Sequence, residues 1–191
     1  MAAMQRLLGK ERVVLASRSP RRRMLLQAAC FDVEVRAPNA DESWPGGNVL
    51  DGAVALARRK LDGIDDSDAP VLAADTLVLL GNDRLGKPAN HDEAVAILTE
   101  LAGREHRVVT GFCVSLRGER REGAVATRVS FRPLWPLEIE RYVDSGEPFD
   151  KAGAYAIQGG AGAFVDRVEG SYTNVVGLPL REVIEAIERL A

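Results

Sequence analysis

The sequence has few of the residues on which several common protein classes depend. Among its 191 residues are only two cysteines and two histidines. Cys30 and Cys113 lie far apart and outside any C-x-x-C pattern, and both have apolar neighbours, so we expect two buried, reduced thiols rather than a disulfide framework. His91 and His106 have no partner at a spacing typical of zinc sites. Neither a disulfide scaffold nor a zinc protein is indicated.

Long apolar runs and a strong excess of one charge are also lacking. The apolar runs are too short to cross a bilayer, and the start MAAMQRLLGKER has no apolar segment of the length found in secretory signals. We therefore expect no membrane attachment and a cytoplasmic location. The net charge of −3 provides no general attraction to nucleic acid or to anionic membranes. A site for a polyanion must then be built from a local cluster of basic residues.

What the chain does contain is typical of a soluble globular protein. Hydrophobic residues make up 46% and charged residues 28%, which is enough apolar material for a core without disulfides or a structural metal. The length fits one large domain or two small lobes that share a cleft. We find no internal repeat and no low-complexity linker.

Strand and helix patterns alternate along the chain and predict an α/β fold. Ser19 is a candidate N-cap with Pro20 in the first helical position, and Met24, Leu25 and Ala28 would then share one face of the helix. Asn90 and Glu93 form a second capping pair. A long hairpin makes the predicted sheet mixed. The predicted strands are Val13–Ala16, Phe31–Arg36, Val71–Leu80, His106–Leu116 and Arg121–Phe131, the last two joined through Arg117–Arg120, and the predicted helices include Val49–Leu61, one that begins at Pro136, and one formed by Leu180–Leu190.

Three consecutive arginines occupy the first turn of the first predicted helix. Arg21, Arg22 and Arg23 lie where the helix dipole is positive, and exposed cations there are unfavourable by about 0.3–1 kcal/mol each. One interpretation is an anion site, in which free backbone N–H groups, the hydroxyls of Ser17 and Ser19, and the guanidinium groups bind phosphate. The other is a plain exposed basic turn, and the segment alone leaves both open.

Asp75 stands in the middle of a ten-residue apolar strand, Val71–Leu80. Burial of an unpaired carboxylate costs several kcal/mol, so this side chain needs a cation, a metal or several hydrogen-bond donors. If the strand lines a cleft, Asp75 can hold Mg²⁺ or accept a proton from an attacking water. A structural ion pair is the alternative.

Other candidate residues are ambiguous when each is taken alone. Lys87 follows Gly86, Lys60 shares a helical face with Leu56 and Ala57, and the pair Asp41 and Glu42 lies in a loop. Each fits an ordinary surface position as well as a site. The small residues of 150–160 surround one Tyr and one Gln, a composition suited to a loop that presents backbone to a flat ligand. No Walker-type phosphate loop is present, and 159–162 precedes a strand rather than the helix that a dinucleotide fingerprint requires.

Four segments of the sequence stand out together, Leu15–Arg22, Ala74–Thr76, Leu85–Pro88 and Gly170–Leu180. In their order and spacing, from about Val13 to the C-terminus, they resemble the Maf family. The resemblance implies one domain over residues 1–191, with a mixed twisted sheet, flanking helices and an elongated two-lobed shape like that of ITPases, with the active cleft between the lobes. It also implies pyrophosphatase activity on nucleoside triphosphates, a role in clearing unwanted nucleotides, and an association with cell-division arrest.

The same resemblance assigns roles to individual residues. Asp75 matches the proton acceptor. The resemblance also implies a divalent cation, and our own hypothesis is that Glu42 and Asp75 hold it as Mg²⁺ or Mn²⁺. The positions linked to substrate choice are Arg21, Thr76 and Gln158, and the residues expected to bind phosphate are Ser17, Arg21, Arg22, Lys60 and Lys87.

Residues 150–159 resemble the subgroup that acts on dTTP and UTP, with Ala156 where Gly is usual. The expected reaction is attack of water on the α-phosphorus, which yields the monophosphate and pyrophosphate. The expected partner is the nucleotide, with a homodimer plausible and no nucleic acid. The alternatives are a nucleotide-binding septation regulator without turnover, and a pyrophosphatase for methylated GTP or deaminated purine triphosphates.

Overall fold

A computed structural model describes residues 11–65 and 67–191 and confirms the α/β class. The prediction for the N-terminal segment concerns residues that lie mostly outside these ranges. Strands and helices alternate as the hydrophobic pattern predicted. The strands are β1 (Arg12–Leu15), β2 (Asp32–Val35), β3 (Val71–Leu80), β4 (Asp83–Leu85), β5 (Glu105–Leu116), β6 (Glu119–Phe131) and β7 (Val165–Glu169), and the helices are α1 (Pro20–Ala28), α2 (Val49–Asp62), α3 (His91–Leu101), α4 (Pro136–Asp144), α5 (Tyr172–Val176) and α6 (Leu180–Glu188), with short 3₁₀ helices at Glu147–Asp150, Ala152–Ala154 and Gly160–Phe164.

The strands of the described ranges form one mixed sheet of seven. Its order is β2-β1-β3-β5-β6-β7, and β4 pairs with β3 outside this path. β1 is parallel to β2 and to β3, whereas the β3–β4 and β6–β7 pairs are antiparallel. None of the helices in the described part of the chain has the length and apolar character needed to cross a membrane.

The predicted hairpin is present, with a tighter turn than the sequence suggested. β5 and β6 are joined by Arg117 and Gly118 alone, whose φ angles are 52° and 83°. Two consecutive residues with positive φ are the mark of a type I′ turn, whose twist matches that of the strands it joins. One face of β5 is buried throughout, and it consists of Val108, Thr110, Phe112, Val114 and Leu116.

The chain forms two compact units. The first contains the described residues up to Asp75 together with Thr110–Val125 and Gly177–Ala191. The second contains Thr76–Val109 and Ala126–Val176. The chain passes from the first unit to the second within β3, between Asp75 and Thr76.

Two local predictions about the first unit were wrong. Cys113 is buried as expected, and its burial raises the pKa of the thiol to about 11, but Cys30 is exposed. Cys30 follows the end of α1 with φ 67°, so the chain turns there at the surface. In α1 the buried face is formed by Arg22, Leu25 and Leu26, whereas Met24 is 48% exposed.

The capping predictions were partly correct. Ser19 is the N-cap of α1 and Pro20 follows it, but the Ser19 side chain makes no capping hydrogen bond. In α3 the Asn90 Oδ1 accepts from the Glu93 N–H at 2.9 Å, as predicted. The Glu93 carboxylate accepts in turn from the N–H of Ala89, one residue before the cap.

The backbones of α2 and β5 approach closely at Gly111. A Cβ placed on this glycine would lie 2.2 Å from the carbonyl carbon of Ala53 and 2.4 Å from the Val54 nitrogen. No real contact is that short, and both obstacles are backbone atoms of a helix, which cannot move aside as a side chain can. The close approach therefore requires glycine at this position.

We expect Gly111→Ala to lower the free energy of unfolding by about 1–3 kcal/mol, because the added methyl forces α2 away from the sheet. Chemical denaturation measures this directly. Gly86→Ala is the matched control, since a Cβ there meets nothing within 4 Å, and it should stay within about 0.5 kcal/mol of the parent. Equal stability of the two variants would contradict the close packing of α2 on β5.

The second unit contains a buried aromatic cluster around His106. Edge-to-face contacts join His106 to Phe131 and Tyr155, with ring centroids 5.0 and 5.3 Å apart. The Nε2 of His106 is 2.8 Å from the Tyr155 hydroxyl, and its Nδ1 is buried with no hydrogen-bond partner among the residues that the structure describes. Burial lowers the pKa of His106 to about 4, so the imidazole is neutral near pH 7.

This buried imidazole predicts a loss of stability in mild acid. Because the pKa is about 4 in the fold against 6.5 for an ordinary histidine, the unfolded chain binds the additional proton as pH falls through 6.5. The folded state binds it only near pH 4, so the stability present above pH 6.5 is lost progressively between these values. From about pH 6.5 to 5 the free energy of unfolding should fall by up to about 2 kcal/mol through this group. The free energy of unfolding, measured by denaturant titration at several pH values in this range, should depend less steeply on pH in His106→Phe than in the parent. An equal pH dependence in the two proteins would refute the prediction.

Candidate active site

Asp75 lies at the one interruption in an otherwise buried strand. Residues 71–74 and 78–80 of β3 are buried, whereas Asp75, Thr76 and Leu77 are partly exposed. The Asp75 side chain is 15% exposed. The carboxylate is therefore largely removed from solvent but still reachable from it, as a group that works on a bound ligand must be.

The partner of Asp75 is Lys60, near the C-terminal end of α2. The Lys60 Nζ lies 2.5 Å from the Asp75 Oδ1 and 2.9 Å from the Glu42 Oε1, and its side chain is 12% exposed. Asn48 caps the start of α2 by accepting from the backbone N–H groups of Leu50 and Asp51. The basic residues of the last turn interact favourably with the helix dipole at the C-terminal end. A single ammonium thus joins two carboxylates that are 33 residues apart in the sequence.

The loop that bears Glu42 is held by its neighbours. The Asp41 carboxylate accepts hydrogen bonds from the Ser43 N–H at 2.8 Å and the Ser43 hydroxyl at 2.6 Å. Arg59 donates to the Ser43 carbonyl at 2.8 Å. Glu42 itself is 65% exposed. Asp41 therefore has a structural role in the turn, while Glu42 faces Lys60.

Arg22 and Ser17 form a buried pair at the start of α1. Arg22 Nη1 donates to the Ser17 Oγ at 3.0 Å and Arg22 Nε donates to the Gly177 carbonyl at 2.8 Å. The Ser17 Oγ also accepts from the Ser19 N–H at 3.2 Å. Arg22 thus holds the loop before α1 against the turn at Gly177, which belongs to the last of the four segments singled out in the sequence.

The first unit brings together most of the predicted site. Burial lowers the pKa of Arg22, the negative charges of Asp75 and Glu42 oppose that shift, and the positive charge of Arg21 adds to it. Three cations therefore interact with two carboxylates, and this cluster carries an excess of one positive charge. The cations are Arg21, Arg22 and Lys60. This arrangement suits an anionic ligand, although the protein as a whole carries a net charge of −3.

The remaining predicted residues belong to the second unit. Thr76 follows Asp75 on β3 and is partly buried, while Lys87 and Gln158 are exposed. The Gly86 carbonyl, next to Lys87, accepts from the Gly153 N–H at 3.0 Å. The loop with Lys87 and the segment with Gln158 are thus joined through their backbones.

Sequence reasoning missed a long-range contact that organises the site of the first unit. The contact of Arg22 with Gly177 spans 155 positions, and nothing local in either segment indicates it. Among the described residues no group of three or more His, Cys, Asp or Glu side chains could hold a metal. Within the described ranges, the predicted ligands Glu42 and Asp75 therefore do not belong to a group of three or more such side chains.

Comparisons with known proteins identify the family of the chain. The family model described as Maf-like protein matches residues 12–190. A dTTP/UTP pyrophosphatase of an Anaeromyxobacter species is 49% identical over 184 residues, which cover 93% of this chain and 89% of that protein. Proteins of the same name from Geobacter sulfurreducens and Thermococcus kodakarensis are 46% and 44% identical over 188 and 181 residues, covering 95% and 93% of this chain and 97% and 96% of the relatives. By sequence along nearly its whole length, the chain belongs to the Maf family.

Proposed function

We propose that the protein hydrolyses dTTP and UTP to the corresponding monophosphate and pyrophosphate. The observation that supports this most directly is the pairing of Asp75 and Glu42 through Lys60, with Ser17, Arg21 and Arg22 in the same unit. The relatives named dTTP/UTP pyrophosphatase support the choice of reaction and substrate.

In the proposed reaction Asp75 is the general base. Its carboxylate takes a proton from water as the water oxygen forms a bond to the α-phosphorus. The bond between the α-phosphorus and the oxygen that bridges to the β-phosphate breaks, and pyrophosphate leaves with that oxygen. Lys60 fixes the orientation of the Asp75 carboxylate, and positioning of this kind supplies much of the rate in phosphoryl transfer.

The donor set fits a divalent cation that binds together with the nucleotide. Mg²⁺ is commonly held by one or two carboxylates with substrate phosphates as further ligands, and Glu42 and Asp75 provide two carboxylates within reach of one ammonium. Mg²⁺ or Mn²⁺ would supply positive charge at the α-phosphate and would acidify the attacking water.

The proposed phosphate contacts come from the cationic residues. Arg21 would contact the triphosphate directly, and Lys87 would add an exposed ammonium. Ser17 can donate its hydroxyl hydrogen to a phosphate oxygen while its Oγ accepts from Arg22. The buried Arg22 fixes Ser17 and adds its charge to the site. The N–H groups of the first turn of α1 favour the same anion.

Gln158 is proposed to read the base, and Thr76 and Arg21 to contribute to substrate choice. The Gln158 amide has both a donor and an acceptor, and these match the O4 acceptor and the N3–H donor of uracil or thymine. Cytosine reverses both groups. We further propose that the protein works in the cytoplasm, where these nucleotides are found, and that it forms a homodimer.

Product analysis tests the proposal. Incubation with UTP and Mg²⁺ should release UMP and pyrophosphate in equal amounts, separated by anion-exchange chromatography. A panel of triphosphates at one concentration should rank dTTP and UTP first. Release of UDP and orthophosphate would place the attack at the γ-phosphorus and refute the mechanism. Preference for a methylated or deaminated purine triphosphate would refute the substrate, and nucleotide binding without turnover would refute catalysis.

A further inference from the structure

Gln158 lies in a short turn in which the chain passes from buried residues to exposed ones. Residues 153–157 are buried, and Gln158, Gly159 and Gly160 are exposed. The turn is closed by a hydrogen bond of 3.0 Å from the Gly159 N–H to the Ala156 carbonyl. Gln158 therefore occupies an exposed position inside a four-residue turn, where a side chain would ordinarily sample several conformations.

Side chains from outside the turn bind its backbone on both sides of Gln158. The Tyr142 hydroxyl accepts from the Ala156 N–H at 3.1 Å, and the Glu147 Oε2 accepts from the Gly160 N–H at 3.0 Å. Tyr142 belongs to α4 and is only 7% exposed. Its ring contacts Phe164 edge to face at 5.2 Å. The first of these two anchors is thus part of the core of the second unit.

The second anchor lies directly against the glycines of the turn. A Cβ on Gly159 would lie 1.7 Å from the Glu147 Oε1, so a side chain at this position would displace the carboxylate from where it now lies. The backbone of Glu147 is itself held by two hydrogen bonds. Its N–H donates to the Ser145 Oγ, and its carbonyl accepts from the Lys151 Nζ at 2.6 Å. Glu147 and Gly159 therefore fit each other as a pair.

We propose that Glu147 and Tyr142 are positioning residues that determine base discrimination, because they fix the backbone on either side of Gln158. This rests on the proposed function, in which Gln158 reads the edge of uracil or thymine. A donor and an acceptor discriminate between bases best when the backbone that carries them is fixed before binding, since a mobile turn lets the side chain shift to satisfy the wrong edge. Neither residue touches the nucleotide in this proposal.

The experiment compares UTP with CTP, which share the sugar and the triphosphate but differ at the base edge. The ratio of kcat/KM for the two substrates is measured for the parent, Glu147→Ala, Tyr142→Phe and Glu147→Gln. The first two variants should each lower the ratio by about threefold to tenfold, the range expected from the loss of one hydrogen bond. Most of this change should come from KM for UTP. Glu147→Gln keeps an acceptor oxygen and should retain most of the discrimination.

Two controls separate positioning from general destabilisation. Glu140→Ala removes an exposed carboxylate of α4 whose partner is His91, and it should leave the ratio unchanged. In the background of Gln158→Ala, the Glu147→Ala change should have little further effect on the ratio, because the side chain that it positions is already gone. Unfolding temperatures are recorded for every variant.

Distinct outcomes overturn the inference and the proposed function. Unchanged UTP/CTP ratios in folded Glu147→Ala and Tyr142→Phe, or additive effects with Gln158→Ala, would overturn the inference. Equal losses on both substrates would make the two residues merely structural and would also overturn it. Absence of pyrophosphate release from UTP by the parent protein would instead refute the proposed function.

Discussion

Asp75→Asn is expected to lower kcat for UTP by about 100-fold to 10,000-fold, the range found for loss of a general base. Asparagine has nearly the shape of aspartate, and its Oδ1 can still accept from the Lys60 Nζ that lies 2.5 Å from the carboxylate in the parent. It cannot accept a proton from water at neutral pH. The variant should therefore keep its fold and lose the chemical step, as measured by pyrophosphate release under saturating UTP.

The matched control is Asp166→Asn, which removes a carboxylate from an exposed position of β7. It should retain the rate of the parent. Circular dichroism and the unfolding temperature verify that both variants are folded. A rate for Asp75→Asn within about tenfold of the parent would remove Asp75 as the base, because no other change in the variant would compensate for its loss.

Much of the fold could be predicted from the sequence because the responsible patterns are local. The apolar run of β3, the turn between β5 and β6, and the Asn90 cap each lie within a dozen residues. The helical face of α1 could not be predicted in this way. Arg22 is buried there because it donates to Ser17 and to Gly177, and the second partner is far along the chain. Met24 was placed inside by its hydrophobicity and is exposed.

The site was predictable to the extent that its residues broke local rules. A carboxylate inside an apolar strand requires a cation, a metal or several hydrogen-bond donors beside it. This requirement identifies Asp75 as a candidate from the sequence alone. Lys60 was ambiguous, because a lysine on a helical face beside Leu56 and Ala57 looks the same whether it reaches solvent or an acid. Tyr142 and Glu147 could not be found from sequence, since their partners are backbone N–H groups of the turn around Gln158. Backbone groups are the same at every position and leave no compositional pattern.

Replacement of Lys60 should have opposite effects on cation binding and on turnover. In the parent its ammonium neutralises one of the two charges of Glu42 and Asp75 and lies within 2.9 Å of both carboxylates. A divalent cation that binds before the nucleotide must compete with this ammonium for the same oxygen atoms. Lys60→Met keeps the length of the side chain and its apolar stem, and it leaves two carboxylates without their shared cation.

We expect Lys60→Met to lower kcat/KM for UTP by about 10-fold to 100-fold, the effect of losing a hydrogen bond between charged groups. The affinity of the nucleotide-free protein for Mn²⁺ should rise by at least about tenfold, because the negative charge of the pair is no longer compensated. Electron paramagnetic resonance of free Mn²⁺ measures the second effect without any turnover. Arg58→Met is the control, since Arg58 lies on the same helix but pairs with Glu122 at the surface. Mn²⁺ affinity equal to that of the parent would show that Glu42 and Asp75 are not cation ligands, and full activity would show that Lys60 neither orients Asp75 nor contacts phosphate.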